Sequence, residues 1–360
     1  MKTVHVKASQ EYDVVIGPGL VNKVGEFAGE VAKGATKALI VSDTNVAPLY
    51  LDKVKTSLEA AGIEVHQYIF EAGEQSKNIN SIAGMWGVMA LAGFTRTDVV
   101  VALGGGVAGD MSGFAAASFL RGIKVIQIPT SLLAMVDACV GGKTGIDLPQ
   151  GKNLVGAFKQ PAIVIEDTDL LTTLSDDIFT EGMAEVIKYA LIMDTKLYDI
   201  LRKNADDGKA MSLRNDLELL TEVVYMCVSD KAYVINNDEF DNGLRQTLNY
   251  GHTVGHVIER NSNFSLAHGV CVAKGMGIFI DACVKAGTCE QDEADKMKDL
   301  IAAYGLPVAD DITAEDAVSG AMNDKKKRGN TLSIIIVNKI GQAEIVKKTP
   351  DEFLAFLKGE

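Results

Sequence analysis

The chain has 360 residues, 47% hydrophobic and 23% charged, with a mean hydropathy of +0.13, so it is long enough to build two domains around sizeable cores. A net charge of −13 argues against nucleic acid and anionic membrane as partners, and no apolar run reaches the ~18 residues that cross a bilayer. The five cysteines (139, 227, 271, 283 and 289) include no Cys-x-x-Cys pair, and Met1–Lys7 lacks the apolar core of a signal peptide, which together indicate a cytoplasmic protein with reduced thiols.

Residues 2–7 and 12–17 read as a hairpin. An apolar strand over 37–42 follows, ending in Asp43-Thr44-Asn45, then a helix over about 46–61. A strand over 63–70 leads into Glu71–Lys77, a helix spans about 78–92, and a strand covers 98–103. Another helix starts after Gly106, and a strand follows at 123–128. Strands alternating with helices of this length predict βαβ units and a mostly parallel sheet, and unbroken apolar strands are expected when helices cover both faces. The pattern changes near 175. Ser175-Asp176-Asp177 is a helix N-cap signal, and helical periodicity then runs to about 322. Residues 331–337 and 343–346 are strand-like, and a short amphipathic helix closes the chain. The expected organisation is an α/β domain over 1–175 and a mainly α-helical domain over 176–360, packed around a cleft.

Gly104-Gly105-Gly106-Val107-Ala108-Gly109-Asp110 fits Gly-x-Gly-x-x-Gly between a strand and a helix, where backbone amides hold a pyrophosphate. It lies outside the first βα unit and lacks an acidic residue about 20 positions on; a tight turn with close helix packing would also explain it. Asp43, at the C-terminal end of an earlier strand, could supply the missing acid. Asp137–Asn153 reads as a Gly-rich polar loop carrying Lys143 and Lys152, suited to a phosphate, although lysines on a solvated loop are the plainer reading.

Glu181, Glu185 and Lys188 share one face of an apolar helix, where a buried carboxylate needs a partner such as a metal. Three of the five histidines, His252, His256 and His268, fall within 17 residues. Spacing alone selects His252 and His256 as an i,i+4 ligand pair, and Thr253 rules out His-Glu-x-x-His. The alternative is one buried, hydrogen-bonded histidine and one surface histidine. Lys231 and Arg245 lie on the helices leading into the cluster, and the run Asp324–Arg328, ordinarily a solvated turn, could complete an anion pocket with Lys143 and Lys152.

In their order and combination, Gly104–Asp110, the 130–153 block, Glu181–Tyr189, Arg245–Glu259 and Asp324–Lys326 resemble the 3-dehydroquinate synthase family of sugar phosphate cyclases over nearly the whole chain. The resemblance implies a Rossmann-like N-terminal domain, a helical C-terminal domain, NAD, and a divalent metal, zinc or cobalt. It implies Glu185, His252 and His268 as metal ligands, with His256 facing the substrate. NAD contacts would come from Asp43, Asn45, Glu74, Lys77, Gly105, Gly106, Asp110, Thr130, Ser131, Asp137, Lys152, Thr173 and Leu174. The substrate, an anionic sugar phosphate, would be held by Lys143, Asn153, Lys188, Lys231, Arg245, Asn249, His256 and one lysine of the 325–326 pair, with Lys326 favoured. Arg121 would reach a neighbouring subunit's phosphate site in a homodimer. The implied reaction is loss of phosphate and carbocycle closure through transient oxidation by NAD. Two departures from the family pattern, Thr173-Leu174-Ser175 and Asn249-Tyr250-Gly251-His252, replace no group on which this chemistry depends. A cyclase acting on another sugar phosphate, an NAD-dependent metal alcohol dehydrogenase and a non-catalytic phosphosugar-binding relative are the competing readings.

Overall fold

The computed structural model describes residues 1–325 and 331–360, which form two compact units: Met1–Leu174 with Leu217–Glu239, and Ser175–Asp216 with Phe240–Glu360. The first contains β1 (Lys2–Val6), β2 (Tyr12–Gly17), α1 (Val24–Val31), β3 (Lys37–Asp43), α2 (Ala47–Ala60), β4 (Glu64–Phe70), α3 (Ile79–Leu91), β5 (Val99–Gly104), α4 (Gly106–Ser118), β6 (Lys124–Pro129), β7 (Lys143–Leu148), β8 (Gly151–Phe158) and β9 (Ile163–Asp167). Seven of these strands form one sheet in the order β1-β2-β9-β6-β5-β3-β4, parallel except for the β1–β2 hairpin.

Alternate residues of the central strands enter different cores, because successive side chains point to opposite faces. Ile40, Val101 and Ile126 pack with Val24, Val54 and Leu58, whereas Leu39, Val41 and Val100 pack with Ile82, Met85 and Met111. This is why the strands read as continuous apolar runs. Asp98, fully buried, fastens β3 to β5 at their N-terminal ends. Its Oδ1 accepts from Thr36 N and Lys37 N, each at 2.9 Å, and its Oδ2 from Thr95 N at 2.7 Å; the Thr36 and Thr95 hydroxyls also donate to it.

The second unit is built from α5 (Asp176–Ile192) and α6 (Thr195–Asp206). After α7 (Leu217–Asn237), which packs elsewhere, it continues with α8 (His252–Asn261), α9 (His268–Lys285), α10 (Gln291–Ala303), α11 (Ala314–Lys325), the β10–β11 hairpin (Leu332–Lys339 and Gln342–Lys348) and α12 (Pro350–Lys358). Ser175 caps α5 by accepting from Ile178 N, and the Thr349/Glu352 capping box opens α12. Among the described residues no helix is long and apolar enough to cross a membrane.

Three features differ from the sequence reading. The loop expected over 137–153 contains β7 and most of the preceding turn, and runs into β8; the two strands pair as a separate antiparallel hairpin. Its second strand is largely exposed, with Leu154 at 59% and Phe158 at 47%, so no buried face imposes an alternating pattern. The five-residue strand β9, between β2 and β6, was not foreseen. Finally, α7 lies inside the expected helical domain by sequence but belongs to the first unit. It packs against β1 and β2, where Lys2 pairs with Glu222 and lies 4.4 Å from the Tyr225 ring centre, and Asn236 Oδ1 accepts from Lys7 N at 2.6 Å. Lys326 lies outside the described residues.

Candidate active site

In the second unit, Glu185 is carried by α5, buried over most of its length, and is itself 1% exposed. Its Oε1 faces His252 Nε2 at 3.5 Å and His268 Nε2 at 3.6 Å, while Lys188, one turn on, pairs with Oε2. The three ligand atoms lie within 4.8 Å of one another. Glu185 Oε1 has no hydrogen-bond donor although it is buried. A buried carboxylate oxygen without a donor is costly, and a cation between it and two imidazoles resolves that cost. The donor set, one carboxylate and two imidazoles, is that of a catalytic zinc site with an open position. The residues present therefore fit a divalent metal.

Local structure explains the convergence. Gly251, in a left-handed conformation (φ +77°), turns the chain into α8 so that His252 is its first residue. His268 is likewise the first residue of α9. The two helices approach closely: a Cβ on Gly275 would stand 2.0 Å from Gly251 O, and one on Gly255 would stand 2.9 Å from Cys271 O. His252 Nδ1 lies 3.0 Å from Tyr250 O, so Nδ1–H donates to that carbonyl and the Nε2 lone pair is turned toward Glu185.

Burial, with Lys188 and the neighbouring histidines, pulls His252 down to about 3 against the attraction of Glu185, so the ring is neutral. Burial also disfavours charge on His268, but Glu185 and Glu259 outweigh it and push this ring up to about 10. Burial acts to raise Glu185, yet Lys188 and the two rings hold it well below the usual carboxylate range.

The structure does not group His256 with Glu185. It is exposed, its ring centre is 5.3 Å from that of His252, and its ligand atoms meet those of Glu259 and His268 instead. The sequence reading missed Glu259, although its place seven residues after His252 puts it on the same helix face. Arg245 (3% exposed) and Asn249 belong to the short 3-10 helix Leu244–Asn249 just before α8, and Lys188 is 1% exposed.

In the first unit, Asp43, Gly104–Gly106, Thr130 and Ser131 lie at or just past the C-terminal ends of the adjacent strands β3, β5 and β6, where open α/β sheets bind ligands. Gly106 opens α4, and a Cβ on Gly104 would stand 2.7 Å from Ala108 Cβ and 3.4 Å from Asp43 Oδ2. The Gly-rich turn thus brings backbone amides and the Asp43 carboxylate together at one helix N-terminus, a cradle suited to a dinucleotide. Asp43 Oδ1 accepts from Asn45 N and Val46 N.

Lys77, 4% exposed, links Asp110 (2.6 Å), Glu74 (3.7 Å) and Asn153 Oδ1 (2.6 Å), and Lys152 approaches Glu74 at 3.9 Å. Burial disfavours charge on Lys77, but Asp110 and Glu74 keep it above its ordinary value. Lys231 of α7 pairs with Asp137 Oδ1 at 2.7 Å. Lys143, Asn153 and Asp110 line a hollow of about 390 Å³. Thr173 Oγ1 meets the Tyr50 hydroxyl, and Leu174 N donates to Leu171 O at 3.3 Å. Arg121 is exposed in a left-handed conformation (φ +67°), with Leu120 alike at φ +48°.

Residues 67–181 match the family described as 3-dehydroquinate synthase N-terminal, and residues 182–327 match 3-dehydroquinate synthase C-terminal. The 3-dehydroquinate synthase of Streptococcus gordonii is 40% identical over 349 residues, 96% of this chain and 97% of that one. Among solved structures, 2-epi-5-epi-valiolone synthase from Streptomyces hygroscopicus subsp. jinggangensis, with NAD+ and Zn2+ bound, superimposes with a TM-score of 0.86 at 26% identity, covering 99% of this chain and 98% of that one. A 2-deoxy-scyllo-inosose synthase complexed with carbaglucose-6-phosphate, NAD+ and Co2+ shares the fold, with a TM-score of 0.85 at 22% identity and 99% coverage of both chains.

Proposed function

The chain belongs to the 3-dehydroquinate synthase family, and on that premise we infer that it converts 3-deoxy-D-arabino-heptulosonate 7-phosphate into 3-dehydroquinate and phosphate, as an NAD- and metal-dependent lyase of aromatic amino acid biosynthesis. The observation that carries this reading is the buried Glu185 oxygen facing two imidazole nitrogens at 3.5 and 3.6 Å, on a chain whose relatives at about this identity carry that name.

NAD, when bound, accepts and returns a hydride, and the divalent cation polarises the substrate hydroxyl. Glu185, His252 and His268 are assigned to hold the cation. Lys188 helps keep Glu185 ionised, and the Tyr250 carbonyl keeps the His252 lone pair on Nε2. Asp43, Asn45, Glu74, Lys77, Gly105, Gly106, Asp110, Thr130, Ser131, Asp137, Lys152, Thr173 and Leu174 are assigned to NAD. Lys143, Asn153, Lys188, Lys231, Arg245, Asn249 and Lys326 are assigned to the substrate's phosphate and carboxylate, whose charge they offset locally despite the acidic chain. His256, exposed, is assigned to face the substrate as a polar group. Held by these cationic side chains, the phosphate would leave as it takes up the proton of the adjacent C–H, and the same groups would orient the ring-opened product for the internal aldol closure. A cytoplasmic homodimer, with Arg121 reaching the partner's phosphate site, completes the proposal.

The test is inorganic phosphate released from the heptulosonate phosphate by purified protein. Release should require NAD, cease with a chelator, and return with zinc or cobalt. If no phosphate appears while polyols yield NADH, the dehydrogenase reading replaces this one.

A further inference from the structure

The metal reading accounts for Glu185 and the Nε2 atoms of two histidines, but not for what holds the far side of His268. His252 has its Nδ1 on the Tyr250 carbonyl at 3.0 Å. His268 Nδ1 faces Glu259 Oε2 at 3.6 Å, and Glu259 is only 6% exposed. Glu259 sits two turns after His252 on α8, so the helix that presents one ring also presents the carboxylate facing the other. The close α8–α9 contact at Gly251, Gly255, Gly275 and Cys271 fixes that approach. A metal-bound imidazole is normally oriented by an acceptor on its other nitrogen, which also makes it a stronger donor.

We propose that Glu259 is the positioning residue for His268: it accepts the Nδ1 proton and aims Nε2 at the cation, without being a ligand itself. This rests on the metal assignment above. The same atoms allow a rival arrangement, because His256, Glu259 and His268 form a second group that could hold an ion of its own. Metal stoichiometry separates the two.

The measurement is cobalt binding to the full chain, read by competition with a chromophoric chelator and by the visible spectrum of bound Co2+, for wild type, Glu259→Gln, Glu259→Ala and His252→Ala. Circular dichroism and a thermal melt check that each variant is folded. Wild type should bind one ion per chain. Glu259→Ala should weaken binding about 10- to 100-fold, the range typical of outer-shell partners, and shift the spectrum. Glu259→Gln, whose amide oxygen still accepts the Nδ1 proton, should recover most of the affinity. The proposal is overturned by unchanged affinity in folded Glu259→Ala, by Glu259→Gln binding as poorly as alanine, or by two ions per wild-type chain with one lost in Glu259→Ala. If wild type binds no cobalt, or His252→Ala binds it normally, the metal assignment itself fails.

Discussion

At the scale of single residues, the second unit brings together three proposed ligands, each biased differently. His252 is held neutral at about 3, Glu185 is ionised, and His268 is pushed up to about 10. Near pH 7.5, then, only His268 carries a proton that a cation must displace. Cation binding should release about one proton per ion, measurable by calorimetry in buffers of different ionisation enthalpy; release of none, or of two, would contradict this assignment. The histidine cluster was legible in sequence because histidine is otherwise rare in this chain. Which two histidines face Glu185 came from the family resemblance, which implied His252 and His268, and not from spacing. Spacing along α8 pairs His252 with His256, whereas the arrangement depends on where α9 starts and how closely it approaches α8. Helical periodicity says which side chains share a face, not which neighbour meets it.

At the scale of elements, one junction bears on the candidate site and another on stability. The first is the contact of α8 with α9, where Gly275 rests on Gly251. Gly275→Ala should force the helices apart and destabilise the protein by about 1–3 kcal/mol, the usual cost of overpacking, and should weaken cation binding by displacing His268 from Glu185. Denaturation and metal titration on one sample check both effects. The second junction is Asp98. Burial acts to raise its pKa, but backbone and hydroxyl donors from Thr95, Thr36 and Lys37 hold it below the ordinary value. A depressed folded value means that its stabilisation is present above the unfolded carboxylate value of ~3.9 and is lost as pH falls through the folded value. Asp98→Asn should therefore cost about 2–3 kcal/mol at pH 7, with the deficit shrinking below pH ~4; urea unfolding across that range reads it directly. The Gly-rich turn at 104–110 was legible because its glycines meet specific demands: a close contact with Ala108 and the opening of α4. The β7–β8 hairpin was not, because an exposed strand lacks the period-two signal.

At the scale of the molecule, the expected change of character at 175 coincides with the first unit's break at Leu174, but the first unit is completed by a later segment, Leu217–Glu239. Composition could not reveal this, because the apolar face of α7 looks the same whichever unit it covers. A fragment ending at Leu174 should therefore leave β1 and β2 uncovered and fold poorly, whereas the same fragment joined by a flexible linker to residues 217–239 should show a cooperative melt; equal behaviour of the two would contradict the assignment of α7. The chain belongs to the 3-dehydroquinate synthase family, and the proposed function makes it a lyase that uses NAD without consuming it. The most direct test supplies heptulosonate phosphate in large excess over NAD and follows phosphate and the nicotinamide absorbance together. Phosphate should far exceed the NAD supplied while reduced cofactor stays near zero. Phosphate that stops at one equivalent of NAD, or that rises in step with accumulated NADH, would contradict the account.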